Sequence, residues 1–285
     1  VIITGVESGV SNFVASGTIT NGQTVILKTD GTVTGVATAG AGTTFSPSAT
    51  NYSGTNVCEL NIATYDTAND RVVIFYKDQT GVNAFAVVGA VSGTTITFGT
   101  PVSAISSRPS YHDVCYDVNS GKIVYVFRDD QGSDKGKALV GTVDASNNSI
   151  SFGSAVEFEV GTCVWPEVAY DANAQKVVVV WSDSGLTGRC RVGTVSGTSI
   201  SFGSETIFAS ANVRGKDIVY HEAAQKVVVL FKDSSNKGAG VVGTVSGTAC
   251  NFGSLGEFED ATINSTHIEA SYDPVNEKVV VVYQD

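Results

Sequence analysis

The stretch Glu167–Ser204, EVAYDANAQKVVVVWSDSGLTGRCRVGTVSGTSISFGS, decides the fold. A short segment ends at Tyr170. Asp171-Ala-Asn-Ala-Gln then reads as a turn, because Asp and Asn side chains bond their own backbone. Val177-Val-Val-Val-Trp181 is β-branched and apolar on both faces, which predicts a strand inside a structure rather than at a solvated edge. A Gly/Ser/Asp loop leads to a third strand over Arg189–Val195. The Ser196-Gly197 turn closes a hairpin into a fourth strand, Ser199–Phe202. Helical periodicity is absent throughout.

The same signs recur along the chain. Phe-Gly stands at Phe98, Phe152, Phe202 and Phe252, at spacings of 54, 50 and 50. Tyrosine recurs at Tyr65, Tyr116, Tyr170, Tyr220 and Tyr272, followed by Asp everywhere except at His221. A basic residue lies six positions later: Arg71, Lys122, Lys176, Lys226, Lys278. An Asp lies thirteen later: Asp78, Asp129, Asp183, Asp233, Asp285. Four short strands per roughly fifty residues is the arithmetic of a β-propeller blade.

The expected fold is therefore all-β, a β-propeller of five four-stranded blades. The fifth unit stops after its second strand, at Asp285. Gly35–Phe45 (GVATAGAGTTF) lies without a gap against Val192–Phe202, and Phe45 precedes Tyr65 by the same 20 residues that separate Phe252 from Tyr272. The N-terminal segment is thus expected to supply the missing strands and close the ring, removing exposed edges. A chain continuing into further repeats is the rival. The expected organisation is an arm or anchor over 1–32, closing strands over 33–45, repeats over 46–99, 100–154, 155–204 and 205–254, and a half repeat over 255–285.

Composition excludes several classes. The 285 residues are 42% hydrophobic and 16% charged, too apolar for a disordered chain. A net charge of -11 argues against nucleic-acid binding, which needs a basic face. No apolar run approaches the roughly 20 residues of a membrane helix, so no membrane insertion is expected. The five cysteines form no CxxC pair, which leaves them as small buried fillers rather than zinc ligands.

Chemistry has two candidate places. Three residues before the repeat tyrosines stand Asp113, Glu167, Asp217 and Glu269, with Ile62 in the remaining blade. The first strand of a blade lines the central channel, so these form an acidic axial ring. Like charges there must be hydrated, protonated or neutralised. One reading is a water-filled or Ca²⁺-binding site; the plainer one is that the acids accept hydrogen bonds from neighbouring strand amides or meet bases such as Lys216. No other cofactor is expected. The second place is the connection entering each blade, where Tyr52, Arg108, Tyr111, His112, Trp165, Arg214, Lys216 and His267 gather. Aromatic rings beside Arg and His suit a sugar. The alternative for Trp165 is packing between blades. The Asp closing each second strand repeats in every blade, which marks a turn cap; the basic residue opening that strand is expected in a hairpin ion pair.

The Tyr-Asp, Lys-Val-Val-Val-Val, Val-Gly-Thr-Val-Ser-Gly and Ser-Phe-Gly-Ser elements resemble repeats in virion proteins of marine tailed bacteriophages, both tail-fibre-like and capsid-decorating. The phrase from Ala15 to Val33, ASGTITNGQTVILKTDGTV, resembles segments preceding such repeats. The resemblance implies a non-enzymatic structural or adhesion role on a virion or otherwise outside the cell. Its implied partners are other virion proteins, through the arm, and host surface glycans. It carries over no catalytic residue. A carbohydrate-binding propeller ranks second. A five-bladed glycoside hydrolase ranks third, because it needs unlike carboxylates in one deep axial pocket.

Overall fold

The computed structural model describes residues 2–3, 11–12, 14–15, 25–27, 32–35, 51–53, 58–78, 83–210, 212–264 and 267–284. The chain divides into two compact units, Val1–Ala49 and Thr50–Asp285. In the first, β1 (Ile2–Ile3) pairs antiparallel with β2 (Ser11–Asn12). There β5 (Thr32–Gly35) lies between β3 (Val14–Ala15), parallel to it, and β4 (Val25–Leu27), antiparallel to it. Residues 36–45, expected to close the ring, lie outside the described residues.

Among its described residues, the regular structure of the second unit is all strand. Its first sheet comprises β6 (Cys58–Asp66), β7 (Arg71–Asp78), β8 (Ala84–Ser92), β9 (Thr95–Phe98) and β10 (Val102–Ile105). The second comprises β11 (Pro109–Asp117), β12 (Lys122–Asp129), β13 (Lys135–Asp144), β14 (Ser149–Phe152) and β15 (Val156–Glu159). The third holds β16 (Val164–Asp171), β17 (Lys176–Ser182), β18 (Gly188–Ser196), β19 (Ser199–Phe202) and β20 (Thr206–Ala209). The fourth holds β21 (Arg214–His221), β22 (Lys226–Lys232), β23 (Gly238–Ser246), β24 (Ala249–Phe252) and β25 (Gly256–Glu259). The fifth is a pair, β26 (Glu269–Asp273) and β27 (Lys278–Val282).

The fourth lane of each full blade differs from the expected single strand. It is filled by two short strands end to end: β18 pairs with β19 over Gly193–Ser196 and with β20 over Gly188–Cys190. The break falls at the Phe-Gly motif in all four full blades, and in the first three the next blade seats against it. A Cβ built at Gly99, Gly153 or Gly203 would lie 1.9, 1.8 or 2.0 Å from the carbonyl oxygen of Asn148, Thr198 or Thr248, in the following blade's hairpin turn. Only glycine admits that turn.

The other repeated residues also join blades. Tyr220 Oη accepts a hydrogen bond from Asn173 N at 3.1 Å, and Tyr272 Oη one from Ala223 N at 3.2 Å, each in the preceding blade's first turn. The position five after each tyrosine is left-handed, with φ of 54° at Asp70, 65° at Gly121, 55° at Gln175, 54° at Gln225 and 53° at Glu277. The Asp caps of the second to fourth blades are as expected: Asp129 Oδ1 accepts from Gln131 N and Gly132 N, Asp183 Oδ1 from Gly185 N and Thr187 N, and Asp233 Oδ1 from Ser235 N and Lys237 N. The expected hairpin ion pairs are not: Arg71 donates to Asn148 Oδ1 and Ala145 O in the next blade, and Lys122 to Thr142 Oγ1. The turn aspartates Asp66 and Asp117 are engaged by turn amides instead.

The valine runs are apolar on both faces because a blade packs on each side. Val177, Val179 and Trp181 meet Val124, Val126 and Phe158 of the blade before. Val178 and Val180 meet Val227, Val229 and Phe231 of the blade after. Each such side chain contributes roughly 1.5–3 kcal/mol on burial. Four of the five cysteines are buried, all are free, and Cys190 and Cys250 belong to one cluster. In β27 the same Val run alternates instead, with Val280 and Val282 exposed.

Candidate functional site

The first strands of the five blades, β6, β11, β16, β21 and β26, follow one another around an axis, and all five contribute to one cavity of about 400 Å³. The residue five before each repeat tyrosine is Leu60, Tyr111, Trp165, Gly215 and His267. The first four adopt left-handed φ, at 52°, 47°, 49° and 45°. The sheet register slips there in each of those four blades: between Glu59 and Ile62, Ser110 and His112, Val164 and Glu167, and Arg214 and Asp217. This is a β-bulge that re-aims a side chain. Glycine takes the conformation freely; a leucine, tyrosine or tryptophan there costs roughly 1–2 kcal/mol. Three blades accept that cost and place Leu60, Tyr111 and Trp165 in the cavity wall, with His267 from the fifth.

Tyr111 and Trp165 meet edge to face, their centroids 5.7 Å apart at 65°. Each has a cation against its ring: Arg128 at 5.4 Å from the Tyr111 centroid and Lys216 at 5.7 Å from that of Trp165. Lys216 is buried, and its Nζ donates to Val164 O and Ser182 Oγ at 3.2 Å each. Burial lowers its pKa to about 8, against the pull of Glu167. It supports Trp165 from behind rather than facing a ligand. His112 Nδ1 lies 2.5 Å from Tyr125 Oη, and burial lowers its pKa to about 4, leaving it neutral at pH 7.

The acids form the floor. Asp113 accepts from Val114 N through Oδ1 and from Val168 N of the next blade through Oδ2, both at 2.7 Å. Asp217 repeats this with Ile218 N at 2.7 Å and Ala270 N at 2.6 Å. Burial raises Asp113 to about 6 and Asp217 to about 7, the amides opposing it. Glu167 stands well above the carboxylate range, through burial and then the charge of Asp113, with which its side chain is hydrogen-bonded. A protonated Glu167 donating to an Asp113 carboxylate satisfies both. The plainer sequence reading of the ring thus describes Asp113 and Asp217. Among the described residues no three His, Cys, Asp or Glu side chains group closely enough to hold a metal ion, and the oxygens of the two aspartates are turned to backbone amides.

Of the sequence candidates, His112, Trp165, His267 and the four acids line the cavity, joined by Tyr111. Four others do not. Tyr52 donates to Asn61 Oδ1 and packs against Tyr76 and Phe98. Arg108 turns to Asp130, 3.7 Å away. Arg214 is exposed, in register with Lys232. Lys216 is the support already described. Leu60 and Asn61 line the cavity and were missed; the signal was position, since Leu60 stands where Tyr111 and Trp165 stand.

No family model matches the chain, and no curated protein matches it. Solved structures do. A protein of unknown function from Dyadobacter fermentans superposes with a TM-score of 0.55 at 11% identity, over 79% of this chain and 74% of that one. The Hadza microbial sialidase Hz136 gives 0.52 at 8%, over 79% and 52%. The fold is a β-propeller. At such identities the likeness shows the fold alone, and the chain spans about half the length of the sialidase.

Proposed function

We propose that this propeller is a non-enzymatic adhesion module that holds a carbohydrate in its axial cavity, displayed on a virion or comparable extracellular particle. The carbohydrate part rests on one observation: Tyr111 and Trp165, in adjacent blades, are kept in left-handed backbone where glycine would be unstrained, at the wall of an acid-floored cavity. The aromatic rings offer apolar surface to the C–H face of a sugar, while His267, Asn61 and Glu269 offer partners for its hydroxyls. The particle setting rests on the resemblance of the repeat. A glycan array tests the carbohydrate part: the full chain is expected to select a small set of glycans, and an array blank at micromolar protein would overturn it.

Glycoside hydrolysis is a second reading, favoured by the unlike carboxyls of Glu167 and Asp113 meeting in one cavity. Against it, Asp113 and Asp217 already spend both oxygens on amides that join the blades. The adhesion reading expects no release of nitrophenol from a panel of aryl glycosides. Turnover abolished by Glu167→Gln would replace it with the hydrolase.

A further inference from the structure

Among the described residues one interblade junction lacks a plug that three others share. In the second, third and fourth blades the last short strand carries Phe158, Phe208 or Phe258. Each ring packs toward the next blade: on Trp181 at 5.1 Å, Phe231 at 5.7 Å and Tyr283 at 5.5 Å between centroids. Each also occupies the place a Cβ would take on its own blade, at Gly136, Gly188 or Gly238, where the ring carbon would be only 2.4, 2.5 or 2.4 Å away. Phenylalanine and glycine therefore form a matched pair. In the first blade both members change. Register puts Ala84 in the glycine place, opposite Ile105 as Gly136 is opposite Glu159, and Ala104 in the phenylalanine place.

The junction between the first and second blades holds a cleft of about 380 Å³ there. Ala104 and Phe127 form part of its wall, with Ser106, Ser107, Asp129 and Lys137. Phe127 is the counterpart of Trp181 and Phe231, eleven residues after its repeat tyrosine. Asp129 Oδ2 accepts from Lys137 Nζ at 2.7 Å, so the pair is neutral overall. The ammonium retains further N–H donors, and the two serines add hydroxyls. The cleft opens at the end of the blade where β11 begins and β12 ends, the end at which Tyr111 enters the axial cavity.

We propose that this unplugged junction is a second ligand site, for a neutral hydroxylated ring such as a sugar residue. The neutral Lys137–Asp129 pair selects against charged ligands. Apolar side chains face one side of the ring, and the ammonium and serine hydroxyls take its polar edge, the Asp129 carboxylate being held by the amides of Gln131 and Gly132 and by Lys137. The proposal depends on the carbohydrate reading of the axial cavity for its ligand class only, since the cleft stands on its own residues.

Calorimetric titration of the full chain with maltose, lactose and chitobiose tests it. Ala84→Gly/Ala104→Phe restores the pair used elsewhere and fills the cleft; Ser106→Leu, on an exposed position, blocks it without entering the core. Wild type is expected to bind two equivalents of at least one disaccharide, and each cleft variant one, with Trp165→Ala removing the other. A stoichiometry unchanged in both cleft variants overturns the second site while leaving the axial one. Binding lost with the cleft variants and untouched by Trp165→Ala supports the cleft and overturns the axial reading. Wild type that binds none of the three overturns the cleft as a sugar site.

Discussion

Asp113 and Asp217 stand at one repeat position two blades apart, and each ties its strand to the next through a single carboxylate. Their burial has a consequence for pH. A carboxyl whose pKa is raised on folding binds its proton more tightly folded than unfolded. The stability it contributes is complete below about pH 4 and is lost as pH rises through the folded value, about 6 for Asp113 and about 7 for Asp217. Thermal unfolding is therefore expected to show a midpoint that falls between about pH 4 and pH 7. Glu167→Gln, which fixes the hydrogen-bonding state of a protonated Glu167, is expected to flatten that fall. A profile of equal slope in the variant would contradict the shared proton. The acids were legible as an axial set from their spacing. That Lys216 serves Trp165, and that Arg108 and Arg214 leave the cavity, was not. Sequence gives the position of a long side chain but not which neighbour satisfies it.

At the scale of strands and turns, the repeat makes its own controls. Gln175 is exposed and left-handed, at the position where the second blade has Gly121. Gln175→Gly is expected to stabilise by about 0.5–1 kcal/mol, the relieved strain being partly offset by greater freedom of the unfolded chain. Chemical denaturation reads this directly. The Phe-Gly glycines separate two roles. Gly153→Ala drives a methyl into Thr198 O and is expected to cost about 3 kcal/mol. At Gly253 the nearest atom to a built Cβ is Val242 O at 3.7 Å, and Gly253→Ala is expected to stay within about 0.5 kcal/mol. Equal effects would show that the next blade's hairpin is not what demands glycine. The strands and hairpins were readable because a β-branched run and a Ser-Gly turn are local signals. The demand for glycine at Gly99, Gly153 and Gly203 was not, because it comes from contact with a residue some fifty positions away.

For the molecule as a whole, a five-fold repeat supplies a frame, and departures from the repeat supply the sites. Leu60, Tyr111, Trp165 and His267 differ at one symmetric position and converge on the axis. Ala84 and Ala104 depart together at one junction. The expectation that Gly35–Phe45 completes the fifth blade falls on residues outside those described, Gly35 apart; deleting residues 1–45 tests it. If that segment supplies the missing strands, the midpoint drops and the chain self-associates through the uncovered edge; an unchanged, monomeric deletion variant would exclude closure. Function is tested most directly by one equilibrium titration. The glycan selected on an array is titrated into wild type, Trp165→Ala and Arg214→Ala, the last lying outside the cavity. The account predicts at least a tenfold loss for Trp165→Ala and wild-type affinity for Arg214→Ala. Unchanged affinity in Trp165→Ala would contradict a sugar site at the propeller axis.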